Sequence, residues 1–293
     1  MRIFLVLLFI IALPFSALKA EVSYALDPGI VKVMVPAGGA HSGVIKVYAR
    51  SPQKIKVKVY AGDWLYTENN DGARDFFPAK STVLSCADWI TFGPAEFVIA
   101  PYEIGAVNYV LRPPQDARGG HYAALFFETS LVTPAEALLA PGQGVRTKGS
   151  LNLRLATVFY VDVKGTVKRA IDLNKLSLSK DPEHDLYVLT ADFKNTGNAD
   201  VITGGTFHIM DKKERIVARG KFNNAYTMPG DKAGVTAEYK KALPEGMYNV
   251  LVTLTLSPDG EEARRRTRAG SLVREVEITI GEKGELISSG EFR

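Results

Sequence analysis

Cysteine is the scarcest informative residue in this chain of 293, with Cys86 standing alone. One thiol excludes an intramolecular disulfide framework, a thiolate zinc cluster and a Cys-x-x-Cys redox centre. Charge of one sign is also missing. The 36 basic residues nearly balance the 32 acidic ones, and a net +4 falls far short of a nucleic-acid-binding stripe. With 46% hydrophobic and 23% charged residues the chain is no disordered polyelectrolyte. Long segments of 3.6-residue periodicity are lacking too. The best helical candidate, residues 134–139, is barely a turn and a half. Beyond residue 20, no apolar run approaches the roughly 20 residues that a membrane span needs.

Residues 1–20 read as an address. Arg2 supplies a positive start, an apolar run from Ile3 to Phe15 follows, and Ser16-Ala17-Leu18-Lys19-Ala20 offers small residues for cleavage. This is the build of a secretory signal peptide cut after Ala20. Removing Arg2 and Lys19 leaves the mature chain near +2. The expected location is the periplasm, without a stable membrane span.

What is present is period-2 alternation. Val31, Val33 and Val35 alternate with Lys32 and Met34, and Ile55, Val57 and Val59 alternate with Lys54, Lys56 and Lys58. One apolar and one polar face per segment predicts half-buried strands. More follow at 44–48, 96–99, 106–111, 122–127 and 151–163, separated by turn clusters such as Asn69-Asn70-Asp71-Gly72 and Pro113-Pro114. The pattern restarts after Gly165 with segments at 186–193, 205–210, 215–221, 234–239, 248–257 and 272–280. The fold class is therefore all-β: two tandem immunoglobulin-like β-sandwich domains. The expected limits are 21–165 and 166–285, with a polar tail at 286–293.

The run from Pro101 to Phe127, containing Pro114-Gln115-Asp116-Ala117-Arg118-Gly119-Gly120-His121-Tyr122-Ala123-Ala124-Leu125-Phe126-Phe127, resembles the end of the N-terminal domain of periplasmic pilus-assembly chaperones. Residues 131–149 resemble that family's long hairpin and 151–163 its last alternating strand. The 186–193 segment, Asn195-Thr196-Gly197-Asn198 and Met228-Pro229-Gly230 resemble its shorter C-terminal sandwich. The Gly-Gly-His-Tyr-Ala-Ala run also resembles secreted wall-associated proteins of Gram-positive bacteria with two similar domains. The first resemblance implies donor-strand complementation, in which an edge strand lends alternating apolar side chains to an incomplete subunit. Leu151, Leu153 and Leu155 share one face of the matching strand, with Asn152 and Arg154 on the other. An ordinary half-buried strand of the chain's own domain is the alternative. Chaperones of this family anchor the subunit's terminal carboxylate with an Arg on the first strand and a Lys on the last. Here the first strand offers Lys32 and no Arg, and the last offers only Arg154, so no pair transfers residue by residue: either a different anchor serves, with Lys32 and Arg154 the candidates, or the chain does not hold pilins in that way.

Catalytic patterns are absent: no Gly-x-Ser-x-Gly, His-Glu-x-x-His or phosphate loop occurs. Ser51-Pro52-Gln53-Lys54 and Ser177-Leu178-Ser179-Lys180 match Ser-x-x-Lys, but neither opens a helix. His41, His121, His184 and His208 are isolated, and Glu183-His184-Asp185 is too few ligands for a cation. Cys86, near Trp89, reads as a buried small hydrophobe, with a reactive thiol or intermolecular disulfide as the alternative. Arg264-Arg265-Arg266-Thr267-Arg268 reads as a solvated hairpin, with weak contact to an anionic envelope polymer as the alternative. Tyr60, Trp64 and Tyr66 suit core packing, or else a sugar-binding ridge. The expectation is an exported, non-enzymatic binding protein without cofactor, metal or nucleic acid. Its expected partners are secreted, pilin-like subunits. A surface or cell-wall adhesion module is the other reading.

Overall fold

The computed structural model describes residues 23–131, 152–181, 186–240, 243–257 and 270–293. The expected signal peptide, the 134–139 segment, Glu183-His184-Asp185, Arg264–Arg268 and Leu151 lie outside them. Strands in chain order are β1 (Tyr24–Asp27), β2 (Ile30–Val35), β3 (His41–Ala49), β4 (Ile55–Tyr66) and β5 (Arg74–Pro78). There follow β6 (Ile90–Gly93), β7 (Glu96–Ile99), β8 (Ile104–Leu111), β9 (Gly120–Leu131) and β10 (Leu153–Val163). The second group is β11 (Ile171–Lys180), β12 (Tyr187–Asn195), β13 (Val201–Met210), β14 (Ile216–Thr227), β15 (Lys232–Tyr239), β16 (Gly246–Ser257), β17 (Gly270–Ile280) and β18 (Leu286–Ser289).

The fold is two immunoglobulin-like sandwiches. In the first, a four-stranded sheet (β1-β3-β8-β6) faces a six-stranded one (β2-β10-β9-β4-β5, with β7 also paired to β4). In the second, a three-stranded sheet (β11-β12-β15) faces a five-stranded one (β14-β13-β16-β17-β18). Alternation puts Ile45, Val47, Ile55, Val57, Val107, Phe127 and Phe159 into the first core. Phe193, Phe207, Phe222, Val250 and Val252 fill the second. Each such side chain contributes about 1.5–3 kcal/mol on burial, which is why the period-2 pattern dictates the sheets. Turn residues sit where the chain needs a left-handed backbone: Asn70 (φ 54) and Gly72 (φ 95) close the β4–β5 turn.

Two elements depart from the sequence reading. The expected polar tail at 286–293 is no free extension. Leu286 to Ser289 form β18 against β17, and Arg293 and Glu275 exchange backbone hydrogen bonds. Its adjacent apolar residues Leu286 and Ile287 were the signal. The first strand is split around Pro28, which has no N–H to give either sheet. β1 pairs β3 in one sheet, and β2 then runs parallel to β10 in the other. No helix among the described residues is long and apolar enough to cross a membrane.

Candidate functional site

β10 has two unlike halves. From Val158 to Val163 it is flanked by antiparallel β9 and by parallel β2. From Leu153 to Thr157 it has β9 on one side, and no strand among the described residues pairs the other. Val158 N–H donates to Gly29 carbonyl, across the side facing β2. Backbone direction alternates along a strand, so the N–H and C=O groups of Arg154 and Ala156 also point away from β9. An unpaired row of this kind is a template for another strand.

The predicted site residues occupy distinct places on this strand. Leu153 packs against the first core. Leu155 lies on the same face yet is 39% exposed, because β2 does not reach that far. Arg154 lies on the opposite face with its guanidinium 5.0 Å from the Phe126 ring centroid. Lys32 sits opposite Tyr160, its ammonium 4.8 Å from that ring. Tyr160 lies six positions along β10 from Arg154, about 20 Å of strand, so the structure does not bring Lys32 and Arg154 together.

A different cation joins Arg154. A groove of about 290 Å³ runs beside the open edge, between Ile30 of β2, Ala156 of β10 and Phe126 of β9, and Arg74 and Arg154 both line it. Arg74 comes from β5. Its Nη2 donates to the Tyr160 hydroxyl at 2.9 Å, and its guanidinium carbon lies 5.2 Å from the Trp64 ring centroid. Neither guanidinium has a carboxylate partner among the described residues. Two unneutralised guanidinium groups over an aromatic floor suit a carboxylate. Arg74 was missed in the sequence because its segment, Arg-Asp-Phe-Phe-Pro, has no alternation to mark it as a strand.

The groove lies near the junction of the two sandwiches. Arg169, in the connection after β10, places Nη2 3.0 Å from Asp162 Oδ2 and 3.1 Å from Asp200 Oδ1. Its Nε donates to the Asp200 carbonyl at 3.0 Å. Asp200 N–H donates to the Tyr122 hydroxyl at 2.6 Å, and that hydroxyl donates to Asp200 Oδ1 at 3.2 Å. Asp200 Oδ2 is buried with no hydrogen-bond partner. Burial, opposed by Arg169, pushes the Asp200 carboxyl up to about 6. A second contact joins the domains at the β4–β5 turn. Tyr226 N–H donates to the Asn70 carbonyl, and Asn70 Nδ2 returns a bond to the Tyr226 carbonyl, at 2.9 and 3.0 Å. Between the two contacts lies an aromatic cluster of Trp64, Tyr66, Tyr122 and Tyr160, with Tyr66 and Tyr160 hydroxyls 3.1 Å apart.

The chain is similar in fold to solved fimbrial chaperones. A chain of the chaperone–tip adhesin complex of CFA/I fimbriae biogenesis shares 12% identity over 86% of this chain and 98% of that one, with a TM-score of 0.47. The class 5 fimbriae chaperone CfaA shares 12% over 86% and 98%, at 0.44. The CsuC–CsuE chaperone–tip adhesion subunit complex of Acinetobacter baumannii gives 9% over 86% and 97%, at 0.40. No family model and no curated protein matches the sequence. At such identities site residues do not transfer from one chain to another.

The remaining candidates resolve locally. Trp64 and Tyr66 are buried in the junction cluster and form no exposed ridge. Ser51 is buried, and its hydroxyl accepts from Gln53 N–H. Ser177 to Lys180 lie on β11. His41 faces the Tyr109 hydroxyl, and the His121 ring lies tilted against Trp89. Cys86 is buried, and burial pushes its thiol well above the ordinary range.

Proposed function

We propose that this protein binds an extended segment of another exported protein along the open half of β10, as a periplasmic chaperone or accessory factor in assembling a pilus or other surface structure. The observation that carries this reading is the edge itself. Residues 153–157 offer about 17 Å of strand whose outward backbone groups have no neighbouring strand among the described residues. Pairing with an incoming strand supplies those bonds, and apolar side chains of that strand cover Leu155 and the groove wall. The Arg74–Arg154 groove would take a carboxylate of the same segment by charge-assisted hydrogen bonds. Residues 153–157 contain no proline and no bulge, no strand among the described residues covers their outer edge, and Arg154 is their one charge.

The test is recovery of partners from the native envelope on tagged mature protein, with Leu155→Glu and Ala156→Pro as controls. Leu155→Glu places a charge on a half-open apolar position, and Ala156→Pro removes an outward N–H and adds ring bulk at the edge. Leu155 is a cleaner target than Leu153, whose substitution also damages the core. A stoichiometric subunit held by the wild type and lost from both folded variants supports the reading. Equal capture by all three proteins overturns it. Fimbrial subunits are the partners to try first, since the solved complexes of similar outline hold tip adhesins.

A further inference from the structure

We propose that Tyr24 is a positioning residue for the pairing edge, its buried hydroxyl fixing the backbone of Leu153 to Leu155 so that Arg154 and Ala156 present their outward groups in register. The inference rests on the strand-pairing reading and adds the device that keeps the edge ordered before a partner arrives.

Tyr24 belongs to β1, which pairs β3 in the opposite sheet. Its ring is buried in the first core, and its hydroxyl crosses the sandwich to the β9–β10 ladder. There it donates to the Phe127 carbonyl and accepts from the Leu155 N–H at 2.8 Å. Phe127 and Leu155 are cross-strand partners, so the phenol oxygen sits in one rung of the ladder. The Leu153 carbonyl lies 3.2 Å from the same oxygen and also accepts from Thr129 Oγ1 at 3.3 Å. On the outer side, Thr157 Oγ1 donates to the Pro28 carbonyl at 2.8 Å. Hydroxyl groups thus hold the half of β10 that has one neighbouring strand among the described residues.

A strand end paired on one side only opens locally at low cost. Each residue that is already ordered before binding removes part of the entropy that association would otherwise charge against affinity. The phenol is well suited to the task. Burial pushes it up to about 12, so it stays protonated and keeps its single donor at physiological pH.

Tyr24→Phe removes one oxygen and keeps the ring. Amide exchange at Leu155 and its neighbours in residues 153–157 is expected to quicken about tenfold, while Val161 and Phe193 amides keep their protection. The probe for binding is a short synthetic peptide of alternating valine and threonine with a free terminal carboxylate. Its dissociation constant on Tyr24→Phe is expected to rise about five- to tenfold. A general loss of stability would instead quicken exchange in both cores. Thr129→Val, which removes the other hydroxyl on the Leu153 carbonyl, is the companion variant if Tyr24→Phe does not fold, and the same local quickening is expected. Unchanged local exchange and peptide affinity in the folded variants overturn the role of Tyr24. Ala156→Pro separates the two levels. If it binds the peptide like wild type, strand pairing itself fails. If it loses the peptide while Tyr24→Phe keeps it, only the positioning role falls.

Discussion

Replacing Arg169 by Ala tests the joint between the sandwiches. The guanidinium is 16% exposed and is shared by Asp162, 18% exposed, and Asp200, 1% exposed. It stays charged at every accessible pH. Without it, the Asp200 carboxylate keeps the Tyr122 hydroxyl as a side-chain donor, and its Oδ2 already has no partner. Removing one member of a buried pair costs about 3–5 kcal/mol, and the lower end applies here because Asp162 regains water. Acid should relieve much of this loss. The folded Asp200 carboxyl is pushed from 3.8 up to about 6. A folded value above the unfolded one means that this group's stabilisation is complete below about pH 4 and is lost as pH rises through about 6. Arg169 opposes the rise, so its removal drives the carboxyl higher still and extends the loss to neutrality. Urea unfolding followed by tryptophan fluorescence, with Trp64 inside the junction cluster, reads the difference. The wild-type-to-variant gap should be about 3 kcal/mol near pH 7.5 and should shrink by half or more near pH 5. A gap below about 1 kcal/mol, or one that widens in acid, would refute the burial argument.

Other outcomes follow from single positions. Gly119 has φ 81, and an added Cβ would lie 2.5 Å from the Asn198 carbonyl oxygen of the other domain. Gly119→Ala is therefore expected to cost more than about 2 kcal/mol in urea unfolding, and a neutral effect would show that the junction yields freely. Asn195 is buried with Nδ2 donating to the Ala199 carbonyl at 3.1 Å and Oδ1 accepting from Gly197 N–H at 2.9 Å. Asn195→Ala strands both groups and should lower stability by about 2–3 kcal/mol, read from the denaturation midpoint. Cys86 should resist a water-soluble thiol reagent in native protein and react in full once urea unfolds the first sandwich. Rapid native labelling would contradict its burial.

The strands were legible where one face is core and the other solvent. Val31-Val33-Val35 and Ile55-Val57-Val59 predicted β2 and β4, and the segments that follow Gly165 correspond to strands β12 to β17. Short edge elements escaped. β5 and β6 pack too few alternating residues to register, and β11 opens with Ile-Asp-Leu-Asn-Lys, where a bulge between Leu173 and Lys175 breaks the period. The candidate site was half readable. Leu153 and Leu155 stand on the strand named for them, because alternation fixes faces. Which half of that strand lacks a second neighbour among the described residues depends on where β2 leaves the sheet, a tertiary property. Arg74, Tyr24 and the Arg169–Asp200–Tyr122 cluster are drawn from positions tens of residues apart, each unremarkable in its own segment. Only the folded topology brings them together.

The place where β2 begins is also a stop. Gly29 and Ile30 meet Val158 and close one end of the edge at residues 153–157, which no strand among the described residues pairs on that side, so a strand laid there as proposed could not slide past Val158. A slip of one residue would exchange every inward side chain for an outward one. If a partner strand pairs there as proposed, a fixed wall would make the edge a ruler, measuring the incoming chain from one end and setting which residue reaches the groove that Arg74 and Arg154 line.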